Sequence, residues 1–257
     1  MMTWDPNQYH KFQSERSAPF DDLLGLVDLR PQLKAVDLGC GTGELTRRLA
    51  DALPDSQVLG LDSSAEMLAQ AQGFARDGLH FEQGDQARLA GSWDLIFSNA
   101  ALQWTEDHQA LIPTLFGRLA PAGQIAVQVP SNHTHISHQL IIQTAQEEPY
   151  RTILKGFVRY APVLPIDRYA QALFDAGAEQ IIVFEKVYAH VLADADAVVE
   201  WVSGTALVPY FERLGTEKEA FLAALRKKMG AAMPGSPLLY PFKRTLFSAR
   251  KPEGKHG

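Results

Sequence analysis

The chain is predicted to be an α/β protein with a mostly parallel sheet and helices on both faces. Three observations predict it. Apolar runs of strand length alternate with helical patterns through the first half. The first such run ends in alternating glycines, with a helical pattern immediately behind them. The length, 257 residues, buries one sizeable core but is short for two domains.

Taken in order, a helical pattern covers 18–27, and the apolar run at 34–38 reads as the first strand. A helix over 44–53, a strand over 57–61 and a helix over 65–75 repeat the unit. Strands follow at 79–82 and 93–98, then a helix over 108–119 and a strongly apolar strand at 124–129. In the second half a helix over 166–176 is stopped by Gly177, and 180–188 reads as a strand. Helices over 195–205 and 217–229 precede a closing strand at 242–249. The stretches 131–165 and 190–235 have no place in a minimal sheet, so they are read as cap insertions on a single domain spanning 1–257.

Composition narrows the function. Hydrophobic residues make up 46 % and charged residues 21 %, as in a globular protein. The first twenty residues are polar, no stretch approaches a membrane span, and Cys40 is the only cysteine. These features point to a cytoplasmic protein with neither a membrane role nor an internal disulfide. The net charge of −6, with no long basic face, argues against a nucleic-acid partner. A small molecule is the expected partner, and the chain itself is expected as a monomer or homodimer.

The chemistry concentrates at strand ends. Val36-Asp37-Leu38-Gly39-Cys40-Gly41-Thr42-Gly43 runs a strand into glycines and then a helix, whose free N–H groups can meet a ligand. The dinucleotide fingerprint wants another glycine where Glu44 stands, and that carboxylate would repel a diphosphate. Asp37 either faces a ligand's ammonium group or is a helix cap or surface acid. Asp62 ends the second strand 19 residues beyond Gly43, a spacing that lets its oxygens accept both hydroxyls of a ribose. Ser63 is a candidate cap for the next helix. Met67 either covers a purine face or packs in the core. Asp85, followed by Gln86, either accepts from an adenine amino group or forms a Gly-Asp turn. After the fourth strand, Asn99-Ala100-Ala101-Leu102-Gln103-Trp104 offers small residues that leave ligand room. Trp104 there either faces a sulfonium or is a half-buried core residue. His133, His135 and His138 crowd one loop, but their spacing matches no metal-ligand pattern, so no metal is expected.

Across these segments the sequence resembles the class I S-adenosylmethionine-dependent methyltransferases, most closely the trans-aconitate methyltransferase family. Trp4, Pro6 and Tyr9, the run Ser14-Glu15-Arg16-Ser17, and Asn99 through Trp104 with Asp107-His108 carry that resemblance, as do Ala126 through Pro130, Trp201-Val202 and Pro209-Tyr210. It implies a Rossmann-like seven-stranded sheet, one strand antiparallel near the C-terminus, and a helical cap closing over the substrate. S-adenosylmethionine is then the cofactor and S-adenosylhomocysteine the product. Asp37, Gly39, Gly41, Asp62, Ser63, Met67, Asp85, Gln86, Asn99 and Gln103 are the expected cofactor residues. Tyr9, Arg16, Trp104, His138, Tyr210, Lys243 and Arg244 are the expected substrate residues. The chain departs from the family where substrate should lie. Ser131 stands for an acid, His135-Ile136-Ser137 for Glu-Pro-Thr, Val208 for an arginine, and Pro241-Phe242-Lys243-Arg244 for Phe-Pro-Arg.

The resemblance implies that a carboxylate of a small organic acid takes the methyl group. Such an acceptor is already ionised at pH 7, so no general base is required and catalysis comes from orientation. The sequence holds no evident Ser-His-Asp set and no Asp/Asn-Pro-Pro-Tyr segment. Two alternatives stand beside this reading. One is another small-molecule or carrier-bound acceptor on the same fold, and the other is a non-catalytic protein that only binds S-adenosylmethionine.

Overall fold

The computed structural model describes residues 14–254. Its strands are β1 (Lys34–Leu38), β2 (Gln57–Asp62), β3 (Leu79–Gln83), β4 (Trp93–Asn99), β5 (Leu119–Pro130), β6 (Glu179–Leu192) and β7 (Leu238–Arg250). They form one seven-stranded sheet in the order β3-β2-β1-β4-β5-β7-β6. β1 pairs in parallel with β2 and β4, and β4 with β5, whereas β7 runs antiparallel to β5. The expected Rossmann-like, mostly parallel α/β sheet is therefore present, with β7 near the C-terminus running against β5. The strand order reverses between β1 and β4, where such sheets open a ligand crevice.

The helices are α1 (Ser14–Leu24), α2 (Glu44–Ala52), α3 (Ala65–Ala71), α4 (His108–Gly117), α5 (Ile136–Gln146), α6 (Tyr150–Ile153), α7 (Ile166–Asp175), α8 (Ala195–Ser203), α9 (Val208–Leu214) and α10 (Lys218–Ala232). The chain divides into two compact units. One contains residues 14–130, 162–186 and 244–254, and the other 131–161 and 187–243.

In the first unit the period of two along each strand sorts side chains to the two faces. Val36, Leu38, Ile96, Ile125 and Val127 pack against Leu111, Leu115, Tyr169 and Leu173, from α4 and α7. Ala35, Leu95, Phe97 and Ala126 face the other way, with Phe20, Leu23 and Leu49 from α1 and α2. Each large aliphatic so buried contributes about 1.5–3 kcal/mol. The second unit has its own core, in which Val198, Val202, Tyr210, Phe221 and Leu225 are almost fully buried.

Several boundaries differ from the sequence reading. β5 starts at Leu119, because Leu119 pairs with Trp93 before a register shift. The helix after β2 closes at Ala71 and tightens into a short 3₁₀ turn, Gln72–Phe74. Helices α5, α6 and α9 were not read individually. Gly177, at φ +80°, ends α7 as expected: its amide donates to Phe174 C=O and the Ala178 amide to Leu173 C=O.

Candidate active site

The glycine loop after β1 is held by backbone shape. Gly39, Gly41 and Gly43 all have positive φ, at 75°, 55° and 82°. At Gly39 a Cβ would lie 2.1 Å from the Ala101 Cβ, and at Gly43 2.8 Å from the Ala71 Cβ. The first glycine thus admits the loop after β4, and the third admits α3. The small side chain at 101 fits against Gly39.

Asp62 ties two strand ends together. Its Oδ2 accepts from the Gly41 amide at 2.9 Å and its Oδ1 from the Ser64 amide at 2.8 Å. Each carboxylate oxygen has a second lone-pair site, so the group can still accept from a ligand diol while pinned on the loop. The cap of α3 is Ser64, whose side chain accepts from the Met67 amide at 3.3 Å, and not Ser63. Ser63 is exposed, and Met67 is buried.

Asp37 is only 4 % exposed, on β1 directly before the loop. Thr46 Oγ1, from α2, donates to its Oδ2 at 2.6 Å. Burial raises its carboxyl to about 7, against the lowering effect of the Thr46 bond and with the Asp62 charge adding to the rise. A buried acid with this pKa is suited to a cationic ligand, which would restore its charge.

Asp85 caps a short turn: its Oδ1 accepts from the Ala87 amide at 2.9 Å. Gln86 Nε2 donates to Thr105 Oγ1 at 2.6 Å and Ala101 C=O at 3.3 Å, binding the loop after β3 to the loop after β4. Gln103 Nε2 donates to Ala100 C=O at 2.7 Å, and Trp104 is half-buried in the 3₁₀ turn Leu102–Trp104. Asn99 presents a buried Oδ1 with no hydrogen-bond partner. A buried carbonyl left unsatisfied is costly, and a ligand N–H would relieve it.

His108 was not singled out as a site residue. It is buried, with Nδ1 2.5 Å from Tyr169 OH and Nε2 2.9 Å from Leu102 C=O. Nε2 therefore carries the proton, and Tyr169 OH donates to Nδ1 while accepting from the Leu164 amide at 3.3 Å. Burial holds the ring below its ordinary pKa. His108 thus anchors the loop that carries Gln103 and Trp104. His108→Phe keeps bulk but leaves the buried Tyr169 hydroxyl without its acceptor, at about 1–3 kcal/mol, while Leu102 C=O keeps the Thr105 amide. Thermal denaturation should show the loss, and faster amide exchange at 102–105 should accompany it.

Tyr9 is outside the described residues; Arg16 falls in the first turn of α1, and its side chain is likewise outside them. In the second unit Ser137 Oγ is a hub, 2.9 Å from His135 Nδ1, 3.2 Å from His138 Nδ1 and 3.1 Å from Tyr240 OH. Burial, with the charges of His135, His133 and Arg159, pushes His138 down to about 4. It is neutral at pH 7 and does not titrate there. Tyr210 is 1 % exposed, and its OH accepts from the Arg159 amide at 3.0 Å. Lys243 and Arg244 are successive on β7 and so face opposite ways. Arg244 is buried, with Nη1 3.4 Å from Gln128 Oε1. Among the described residues no group of three His, Cys, Asp or Glu is placed to hold a metal, and no helix is long and apolar enough to cross a membrane. A cleft in the second unit, walled by Asp194, Asp196, Glu200 and Glu219 with Lys218 and Arg226, is too acidic to attract an anion.

Comparison with known proteins follows this geometry. Residues 35–123, which contain the glycine loop and every strand-end acid described above, match the family model described as a methyltransferase domain. A trans-aconitate 2-methyltransferase from Deinococcus radiodurans is 49 % identical, covering 98 % of this chain and 100 % of its own. Another from an Azoarcus species is 40 % identical over 97 % of this chain and 99 % of its own. Among solved structures, the YcgJ protein from Bacillus subtilis matches with a TM-score of 0.60 at 14 % identity, covering 93 % of this chain and all of that one. Phosphoethanolamine N-methyltransferase 2 from Haemonchus contortus, solved with S-adenosyl-L-methionine, matches at 0.55 and 15 % identity, over 93 % of this chain and 53 % of that one.

Proposed function

Because the chain belongs to the trans-aconitate 2-methyltransferase family of S-adenosylmethionine-dependent enzymes, we propose that it forms a methyl ester on a carboxylate of a small organic acid resembling trans-aconitate. The observation that carries the cofactor half is the convergence of Asp37, the Gly39–Gly43 loop, Asp62 and the unsatisfied Asn99 Oδ1 at the ends of β1, β2 and β4. These residues fit the cofactor. In this reading Asp62 accepts from a ribose diol, Asp37 and Asn99 from a cationic amino group, and Asp85 and Met67 meet the adenine. When bound, S-adenosylmethionine supplies a sulfonium-activated methyl group.

This chain's part is to bind, orient and exclude water. A carboxylate acceptor arrives ionised, near pKa 4, and needs no proton removed. His138, neutral down to about 4, is no general base for neutral pH but can donate a hydrogen bond to an anion. Arg16, Lys243 and Arg244 are the cations assigned to the acid, and 131–165 and 190–235 are read as a cap. A cytoplasmic location and a monomeric or homodimeric state belong to the same proposal.

The test is incubation of the protein with labelled S-adenosylmethionine and a panel of polycarboxylates. The expected product is a base-labile ester. At saturating cofactor its turnover should stay flat between about pH 6 and pH 9, because the acceptor titrates well below that window. A steep rise governed by a group near 7 would replace the carboxylate with a hydroxyl acceptor.

A further inference from the structure

Gln124 and Gln128 stand four residues apart on β5, and so on the same face of the sheet. Gln124 is satisfied inside the protein. Its Oε1 accepts from the Asp28 amide at 2.9 Å and its Nε2 donates to Leu26 C=O at 2.7 Å. Gln128 is satisfied at one end only. It is 0 % exposed, its Oε1 accepts from Arg244 Nη1 at 3.4 Å, and its Nε2 has no hydrogen-bond partner. Native proteins rarely keep such a donor without a use for it.

Its position suggests the use. Gln128 is the register partner of Asn99 on β4, whose own Oδ1 is unsatisfied, and Asp37 on β1 is the register partner of Phe97 two residues earlier. Pro130 is the register partner of Arg244. Asp37, Asn99, Gln128 and Arg244 therefore share one face toward the carboxyl ends of β1, β4 and β5, where ligands enter such sheets. The bond from Arg244 fixes the carboxamide, so the unused Nε2–H has a set direction.

We propose that Gln128 is a specificity-determining residue whose Nε2–H, with the Arg244 guanidinium, holds a carboxylate of the acceptor that is not the one methylated. This rests on the reading of the acceptor as a small organic acid. Donors that bind a carboxylate withdraw the electron density a nucleophile needs, so the gripped group and the reacting group must differ. The acceptor class is then an acid with at least two carboxylates, and a monocarboxylate lacks the handle.

The experiment is steady-state kinetics of the parent, Gln128→Leu and Gln128→Glu on trans-aconitate and on trans-2-hexenoate, a monocarboxylate with as many carbons. Cofactor affinity and melting temperature are measured alongside. Losing one hydrogen bond to a charged group should raise KM for trans-aconitate about ten-fold or more in Gln128→Leu. The kcat and cofactor affinity should change little, and any activity on the hexenoate should be equal in all three proteins. Gln128→Glu gives Arg244 an internal carboxylate, so the fold should be kept while KM rises further. A purely structural glutamine predicts the same retained stability for that variant but an unchanged KM, and that result overturns the inference. So does an equal loss on both acids. A parent that methylates no acid removes the proposed function and this inference together, whereas an active parent with unaffected variants removes the inference alone.

Discussion

Gly39→Ala should lose measurable cofactor binding and melt well below the parent. The residue sits at φ +75°, and a Cβ there would fall 2.1 Å from the Ala101 Cβ and 3.3 Å from Gln86 Oε1. A left-handed conformation costs a residue with a Cβ about 1–2 kcal/mol, and overpacking adds about 1–3 kcal/mol. Their sum corresponds to a fall in Tm of roughly 4–20 °C for a domain of this size. The binding loss follows from connectivity. Gly39 and Cys40 amides both donate to Leu61 C=O, at 2.7 and 3.1 Å, and Gly41 donates to Asp62. A loop displaced at Gly39 moves with it the Asp62 carboxylate proposed to bind the ribose diol. Adding Ala101→Gly separates the two costs, since it removes the overlap and leaves the backbone strain. The double variant should recover about half of the lost stability. Parental Tm and parental cofactor affinity in Gly39→Ala would show that the loop yields freely, and that its glycines are not sterically required.

The strands were legible because each is an apolar run bounded by turn residues. The first five residues of β5 were hidden because Leu119 continues the helical pattern over 108–119 and Pro121 and Gly123 are poor strand formers, although Leu119 pairs with Trp93. Helix α5 was hidden by its cap. His135 is an unusual N-cap, yet its Nδ1 accepts from the Ser137 amide at 3.2 Å. At the site, Asp62 and the glycines were legible because a local spacing encodes them. What Ala101 does for Gly39 was not, since that contact joins two loops distant in sequence. Gln128 was least legible of all. A glutamine in an apolar strand looks like a solvent-side residue, and its partner Arg244 lies 116 positions away.

Asp37→Asn should weaken cofactor binding and, above neutral pH, improve the stability of the fold relative to the parent. Both effects come from one shifted group. Burial raises the Asp37 carboxyl to about 7 from an ordinary 3.8. An acid whose folded pKa exceeds its unfolded value favours the fold fully below the unfolded pKa. That contribution is lost as pH rises from about 4 through 7, because the unfolded chain gives up its proton there while the folded carboxyl keeps it. Above about 7 the folded protein holds a buried charge. Asparagine holds none and keeps an acceptor for Thr46 Oγ1. The variant's melting temperature minus the parent's should therefore rise between pH 4 and pH 8, whatever constant cost the amide brings. Cofactor binding runs the other way. A cationic amino group demands the ionised carboxylate, so below about pH 7 the parent must release a proton to bind. Its Kd should grow roughly ten-fold per unit of acidification, since one pKa unit is about 1.36 kcal/mol. Above about pH 8 the ligand's α-amino group loses its own proton and affinity falls again. The parent's affinity is thus bell-shaped in pH, while Asp37→Asn binds more weakly near neutral pH and lacks the acid limb, so the two converge on acidification. Calorimetric Kd values at pH 5, 6, 7 and 8, with melting curves at the same points, read both effects. An acid limb that persists in Asp37→Asn would assign the titration to another group and leave Asp37 a packing residue.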